Sequence, residues 1–413
     1  MTDWGARAES LLNELAACTE PGPGVTRLPF TPEHRAAIVL LSEQMKKLGL
    51  DVTLDHAGTL IGRLEGPPGS KTLIMGSHQD SVREGGAFDG IMGIVLPLMA
   101  LAKLRSEGIE LPISVEVHAF ADEEGVRFPT ALIGSRALAG TFDASVLLMT
   151  DSQGVTLRDA MTAFGLNPDR IGTLARDPAS VIGFVETHIE QGPVLEQDDQ
   201  AVGVVTAICG IERHQIEVIG ETGHAGTLPM TGRRDALVGA ADIIAEVDRL
   251  GQTTADLRAT VGAFDVEPNV VNAVPGRVKM TAEIRSPEDQ TRSDAGKTLH
   301  HFIHELGLRR NLSIRAHKTY AQAAQPCDVD LSGRLAQAAT VVAAKGLYLP
   351  SGATHDASAM ADLCPVAMLF VRCRDGVSHR PEEFASSRDM GLAISALAEF
   401  LKCTERTLNQ TDE

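Results

Sequence analysis

Four short segments of this 413-residue chain carry imidazole and carboxylate groups just after apolar, strand-like runs. His78-Gln79-Asp80 follows residues 71–77, and a glycine-rich stretch then leads to Phe88-Asp89-Gly90. Asp122-Glu123-Glu124-Gly125 follows residues 113–121. His188-Ile189-Glu190-Gln191-Gly192 follows 181–187, and Asp375-Gly376-Val377-Ser378-His379 follows 366–371. In open α/β sheets functional groups gather beyond the carboxyl ends of the strands. Taken singly, each residue has an ordinary use: a structural imidazole, a turn aspartate beside a glycine, a solvated surface acid. Pooled, they offer imidazole nitrogen and carboxylate oxygen without thiolate, a donor set for Zn²⁺, Mn²⁺ or Co²⁺.

Three details sharpen that reading. In His78-x-Asp80 the acid is expected to hold the second ring nitrogen and fix the tautomer. Adjacent residues leaving a strand point in different directions, so one of Glu123 and Glu124 can bind metal while the other serves as general base. Asp89 can bridge two ions about 3.5–4 Å apart.

The elements that must present these groups alternate. Thr31-Pro32-Glu33 reads as an N-cap, a proline at the first helical position and an acid in the first turn, starting a helix that runs to about Lys47 before Gly49. A helix over 91–105 and strands over 113–121, 181–187 and 202–208 complete an α/β layered domain with a largely parallel sheet. Beyond residue 210 the pattern changes to four strands (212–219, 259–266, 277–285, 313–320) and two helices (235–250, 287–306), a small ferredoxin-like α+β insertion. After residue 326 the first pattern returns, with an apolar strand over 366–371 and a terminal helix over 388–403. The expected division is 1–210 plus 326–413 for a discontinuous catalytic domain and 211–325 for the insert.

Bulk properties bound the partners. The formal net charge of −18 argues against nucleic acid and anionic membrane surfaces, and a metal site can still attract an anionic substrate. The most apolar run, 91–104, is interrupted by Pro97 and Lys103 and is too short to span a bilayer. No leader is expected at the N-terminus. The six cysteines form no C-x-x-C pair, which fits a reducing cytoplasm. His300 and His304 are four apart on a helix, but no glutamate follows His300 as in H-E-x-x-H, and a solvated helix face is the expectation. No nucleophile elbow and no dinucleotide-binding glycine motif is present.

The motifs GSHQD (76–80), GGAFDG (85–90), FADEEGVRF (120–128), HIEQGP (188–193), GHAG (223–226), PNVVNAVP (268–275), HDA (355–357) and SH (378–379) occur in this order. Together they resemble the metal-dependent amidase branch of the M20 peptidase superfamily over nearly the whole chain. That branch includes N-carbamoyl-L-amino acid hydrolases, β-ureidopropionase-like enzymes and allantoate amidohydrolases. The resemblance implies two divalent ions per subunit (Zn, Mn or Co). His78 and His188 would bind one and Glu124 and His379 the other, with Asp89 between them. Glu123 would be the general base, and His188 marks the amidase side, where many peptidase relatives carry an acid.

By the same resemblance the insert is a lid and dimerisation domain of a homodimer. His224 would stabilise the oxyanion, usually in the partner's site. Asn272 and Arg285 would bind a substrate carboxylate, and Gln191 and His355 would line the carbamoyl end. Gln79 and Thr354 depart from the commoner pattern, which bears on substrate choice. The implied activity is hydrolysis of the C–N bond of an N-carbamoyl-L-amino acid or related ureido acid, releasing ammonia, CO2 and the amino acid. The alternatives are an allantoate amidohydrolase, an N-acyl-amino acid hydrolase or peptidase on the same scaffold, and a non-catalytic small-molecule-binding relative.

Overall fold

The structure, a computed structural model, describes residues 2–342 and 346–408, with side chains up to residue 403. The chain divides into two compact units. The larger comprises Met1–Thr206, Cys327–Leu349 and His355–Glu413, and the smaller comprises Ala207–Pro326 and Pro350–Thr354.

The larger unit is built on a twisted sheet. Seven of its strands lie in the order Asp51–Leu54, Leu60–Leu64, Ser114–Phe120, Thr72–His78, Val181–Ile189, Val366–Val371 and Val202–Ile208. The four from Ser114–Phe120 to Val366–Val371 are parallel, and the flanking strands pair antiparallel. Every residue of Thr72–His78, Ser114–Phe120 and Val366–Val371 is buried, as expected for strands covered on both faces. From Thr72–His78 the sheet grows to Ser114–Phe120 on one side and to Val181–Ile189 on the other. His78 thus ends the strand at the topological switch point, where open α/β sheets bind ligands.

The apolar run forms the helix Met92–Ser106, with eleven buried residues and no polar stripe, so it is a core helix. Gly93 allows its close approach to the sheet: a Cβ there would lie 2.1 Å from the carbonyl oxygen of Thr187. The helix Pro32–Lys47 starts as read, with the His34 N–H donating to Thr31 Oγ1 at 3.3 Å. Among the described residues no helix is long and apolar enough to cross a membrane.

The smaller unit is a four-stranded antiparallel sheet in the order Ser313–Gln322, Gly210–Ile219, Arg277–Ser286 and Arg258–Glu267. Helices Ala236–Thr253 and Asp289–Arg310 pack on one face. In chain order this is βαββαβ, the ferredoxin-like arrangement. Arg277–Ser286 alternates strictly between partly exposed and buried positions, giving Val278, Met280, Ala282 and Ile284 to the core. The expectation of a solvated helix face holds for His304, which is exposed, but not for His300, which is half-buried: its Nε2 is 3.0 Å from Nδ1 of the buried His214, whose Nε2 is 3.3 Å from Glu212. The helix period alone could not reveal that a strand histidine stands opposite.

Candidate metal centre

The carboxyl ends of the parallel strands bring the sequence-predicted donors together. His78 is the last residue of its strand and is almost fully buried. Its Nδ1 lies 3.0 Å from the carbonyl oxygen of Asp80, which leaves Nε2 for a ligand. That Nε2 is 3.8 Å from Asp89 Oδ1 and 3.9 Å from Glu123 Oε2.

Asp80 acts differently from expectation. Its backbone carbonyl, not its carboxylate, is the hydrogen-bond partner of His78; the carboxylate stands 3.7 Å from Nδ1. The carboxylate instead accepts the N–H groups of Glu123 and Glu124 at 3.1 and 3.2 Å, fixing the turn that carries both glutamates.

His188 lies within the strand, which runs to Ile189 rather than stopping at residue 187. Its Nδ1 is 2.9 Å from the carbonyl oxygen of Ile189, and its Nε2 is 3.0 Å from Asp89 Oδ1. The other oxygen of Asp89, Oδ2, is 3.2 Å from Nε2 of His379, which in turn is 3.9 Å from Glu124 Oε1. Two donor groups result, His78/Asp89/His188 and Asp89/Glu124/His379, each with its ligand atoms within 4.8 Å of one another. Asp89 belongs to both and turns one oxygen to each. A third grouping, His78/Glu123/Glu124, puts Glu123 at the edge of the first.

Gln191 also enters this cluster. Its Nε2 donates to Asp89 Oδ2 and to Ser378 Oγ, both at 3.1 Å. His355 is buried with its ring edge-on to His188, the centroids 4.6 Å apart. Burial and the neighbouring His188 hold the His355 imidazole well below its usual pKa, so it is neutral. Asp122, Gln191 and His379 all adopt left-handed φ, at 58°, 58° and 57°. Strained backbone of this kind collects at functional sites.

Glu383 was missed by the sequence reading. Its Oε1 accepts the N–H groups of Phe88 and Asp89 at 3.1 and 3.0 Å, and its Oε2 accepts the Ser378 hydroxyl at 2.8 Å. It thereby ties the Asp89 loop to the His379 loop. Its only sequence signal is an acid four residues after a candidate ligand, which periodicity does not mark.

The electrostatics fit a pair of cations. Burial, then the charges of Glu124, Asp356 and Asp80, push the Glu123 carboxyl well above its usual range. Burial and Asp89 push Glu124 to about 7. Burial would also raise Asp89, but hydrogen bonds from His188 and His379 overcome it and hold that carboxyl well below the usual range. So many buried acids with few cations among them are what divalent ions would neutralise, and the nitrogen and oxygen donors suit Zn²⁺, Mn²⁺ or Co²⁺.

The comparisons agree with this geometry. The family model for peptidase family M20/M25/M40 matches residues 74–402. The chain belongs to this family. It is 38% identical to an N-carbamoyl-L-amino acid amidohydrolase of Geobacillus stearothermophilus, over 95% of this chain and 97% of that protein. It is 36% identical to an allantoate deiminase of Arabidopsis thaliana, covering 96% of this chain and 81% of the relative. A solved amidase of the hydantoinase/carbamoylase family from Burkholderia multivorans superposes with a TM-score of 0.91 at 32% identity, covering 96% and 97% of the two chains. A family member whose full-length relatives are amidohydrolases is a hydrolase acting on C–N bonds.

Of the remaining sequence-predicted residues, His224, Asn272, Arg285 and Thr354 belong to the smaller unit. His224 pairs across a two-residue ladder with Ala273, beside Asn272, whose carbonyl accepts the Ala225 N–H at 2.9 Å. Both are exposed. Arg285, one residue before the end of its strand, has Nε donating to Glu283 at 2.8 Å and Nη1 donating to the Gly352 carbonyl at 2.6 Å. Thr354 lies in the segment Pro350–Thr354 of this unit. Gln79, expected near the site, points elsewhere: its amide donates to the Ala119 carbonyl at 3.1 Å, inside the core.

Proposed function

We propose that this protein hydrolyses the carbamoyl C–N bond of N-carbamoyl-L-amino acids with two divalent ions (Zn, Mn or Co). The carrying observation is Asp89, shared between two donor groups, with Glu123 beside them. When bound, the ions would polarise the carbamoyl group and make water acidic enough to attack near neutral pH. His78 and His188 would hold one ion, Glu124 and His379 the other, and Asp89 both.

In this reading Glu123 takes a proton from the attacking water as the new C–O bond forms. It then returns the proton to the amino-acid nitrogen as the C–N bond breaks. The amino acid leaves, and the carbamate left behind divides into CO2 and ammonia. Gln191 and His355 face the carbamoyl end. The smaller unit serves as lid and dimerisation domain of a homodimer, Asn272 and Arg285 hold the substrate carboxylate, and His224 steadies the developing oxyanion. The six free cysteines of the whole chain suit the cytoplasm.

A second reading, allantoate as substrate, is supported by the similarity to allantoate deiminases over nearly the whole chain. Metal-loaded protein incubated with N-carbamoyl-L-amino acids, allantoate and N-acyl-L-amino acids separates these readings. Chelator-sensitive ammonia release from the carbamoyl set supports the first, and release from allantoate alone the second. Free amine without ammonia would overturn both in favour of an acylase or peptidase.

A further inference from the structure

Glu186 precedes His188 by two residues in the strand Val181–Ile189, so both side chains face the same side of the sheet. Its carboxylate is wholly buried. Oε1 accepts the hydroxyl of Ser77 at 2.6 Å, and Ser77 immediately precedes His78. Oε2 accepts the backbone N–H of Ala357 at 2.8 Å, in the short helix Asp356–Met360 that His355 caps. One side chain thus joins the strand ending in His78, the strand carrying His188 and the turn carrying His355. Both donors are neutral and recover only part of the hydration a buried carboxylate gives up, so an apolar residue here would cost less.

We infer that Glu186 is a positioning residue for one ion of the pair, the one between His78 and His188. This rests on the dinuclear reading of the site. The other ion's own ligands have separate supports: Glu124 hangs on Asp80 through its N–H, and the His379 loop hangs on Glu383 through Ser378. Loss of Glu186 therefore acts on one ion and spares the other. Ser77 transmits part of the effect, because the hydroxyl-to-carboxylate bond is the link to His78.

The test is a Co²⁺ titration of apoprotein, followed by calorimetry and visible absorption, for wild type, Glu186→Gln, Ser77→Ala and the double variant. Glu186→Gln is expected to weaken one of two binding steps by about 10–100-fold, as is usual for supports behind metal-binding histidines, and to shift that step's absorption band. The other step keeps its affinity. Ser77→Ala weakens the same step by less, and the double variant is no worse than Glu186→Gln alone. Two unchanged steps, two steps weakened alike, or additive single effects would overturn the inference. Should Glu186→Gln fail to fold, Ser77→Ala decides, since unchanged steps in that variant would overturn the link. No substrate is used, so failure to hydrolyse any ureido acid leaves the inference standing. A wild type that takes up fewer than two Co²⁺ overturns the dinuclear reading beneath it.

Discussion

Gly90 and His78 meet so closely that no side chain fits between them: a Cβ on Gly90 would stand 2.3 Å from Cε1 of the imidazole. Gly90 also has φ of 65°, where alanine costs about 1–2 kcal/mol. Gly90→Ala must therefore push the His78 ring away from Asp89. The expected result is a folded protein with weakened ion binding at the His78 side and little activity. Metal content after gel filtration checks it, and wild-type content would mean that His78 is not held by this contact.

Asp89→Asn should lose both ions, whereas His379→Ala should lose one. The reason is the division of the Asp89 oxygens between His188 at 3.0 Å and His379 at 3.2 Å. Elemental analysis of the purified variants distinguishes the two outcomes. An Asp89→Asn protein that keeps one tightly held ion would show that the carboxylate is not shared.

Glu123→Gln should keep its ions and lose turnover by about 10²–10⁴-fold, the usual worth of a positioned acid–base group. Glu123 lies 3.9 Å from His78 Nε2, at the edge of the donor cluster rather than at its centre. Turnover near that of the wild type, with normal metal content, would end its assignment as general base.

His34 should make the protein sensitive to mild acid. Its ring is fully buried, stacked on Phe164 with centroids 5.1 Å apart, and its Nδ1 accepts the Phe30 N–H at 2.9 Å. Burial, reinforced by Arg27 and Arg35, holds its pKa down at about 3. The unfolded chain, with a pKa near ~6.5, takes up a proton that the folded chain refuses. The contribution is complete above about pH 6.5 and falls as pH drops toward 3, by about 1.4 kcal/mol per unit. His34→Asn keeps an acceptor for Phe30 and removes the titration. Its denaturant-derived stability should decline less steeply between pH 6 and 4, and parallel profiles would refute the assignment.

Much of the site was legible because strand ends are legible. Apolar runs ended within one or two residues of the observed strands, and the segments after them held His78, Asp89, Glu123, Glu124, His188 and His379 among other acids, from which the family resemblance selected these six. The insert was legible too, because alternation at period two survives in single sequences, as in Arg277–Ser286. What failed was whatever depends on a distant partner. The destination of the Asp80 carboxylate depends on two N–H groups 43 and 44 residues away. Glu383 reaches back 294 residues to Asp89, and the amide of Gln79 turns inward to a neighbouring strand. His300 looked solvated because only its own helix was in view.

The strand Val366–Val371 lies between Val181–Ile189 and Val202–Ile208, two strands that are close neighbours in sequence. A ribosome therefore releases both flanking strands well before the one that separates them exists. Until then the growing sheet has a gap between two of its strands, and His379 is still to come. Carboxyl-terminal truncations short of this strand should expose two unpaired edges at once and invite pairing between chains. The integrity of this protein thus hangs on finishing its synthesis, and a prematurely ended chain is an aggregation hazard more than a weakened enzyme.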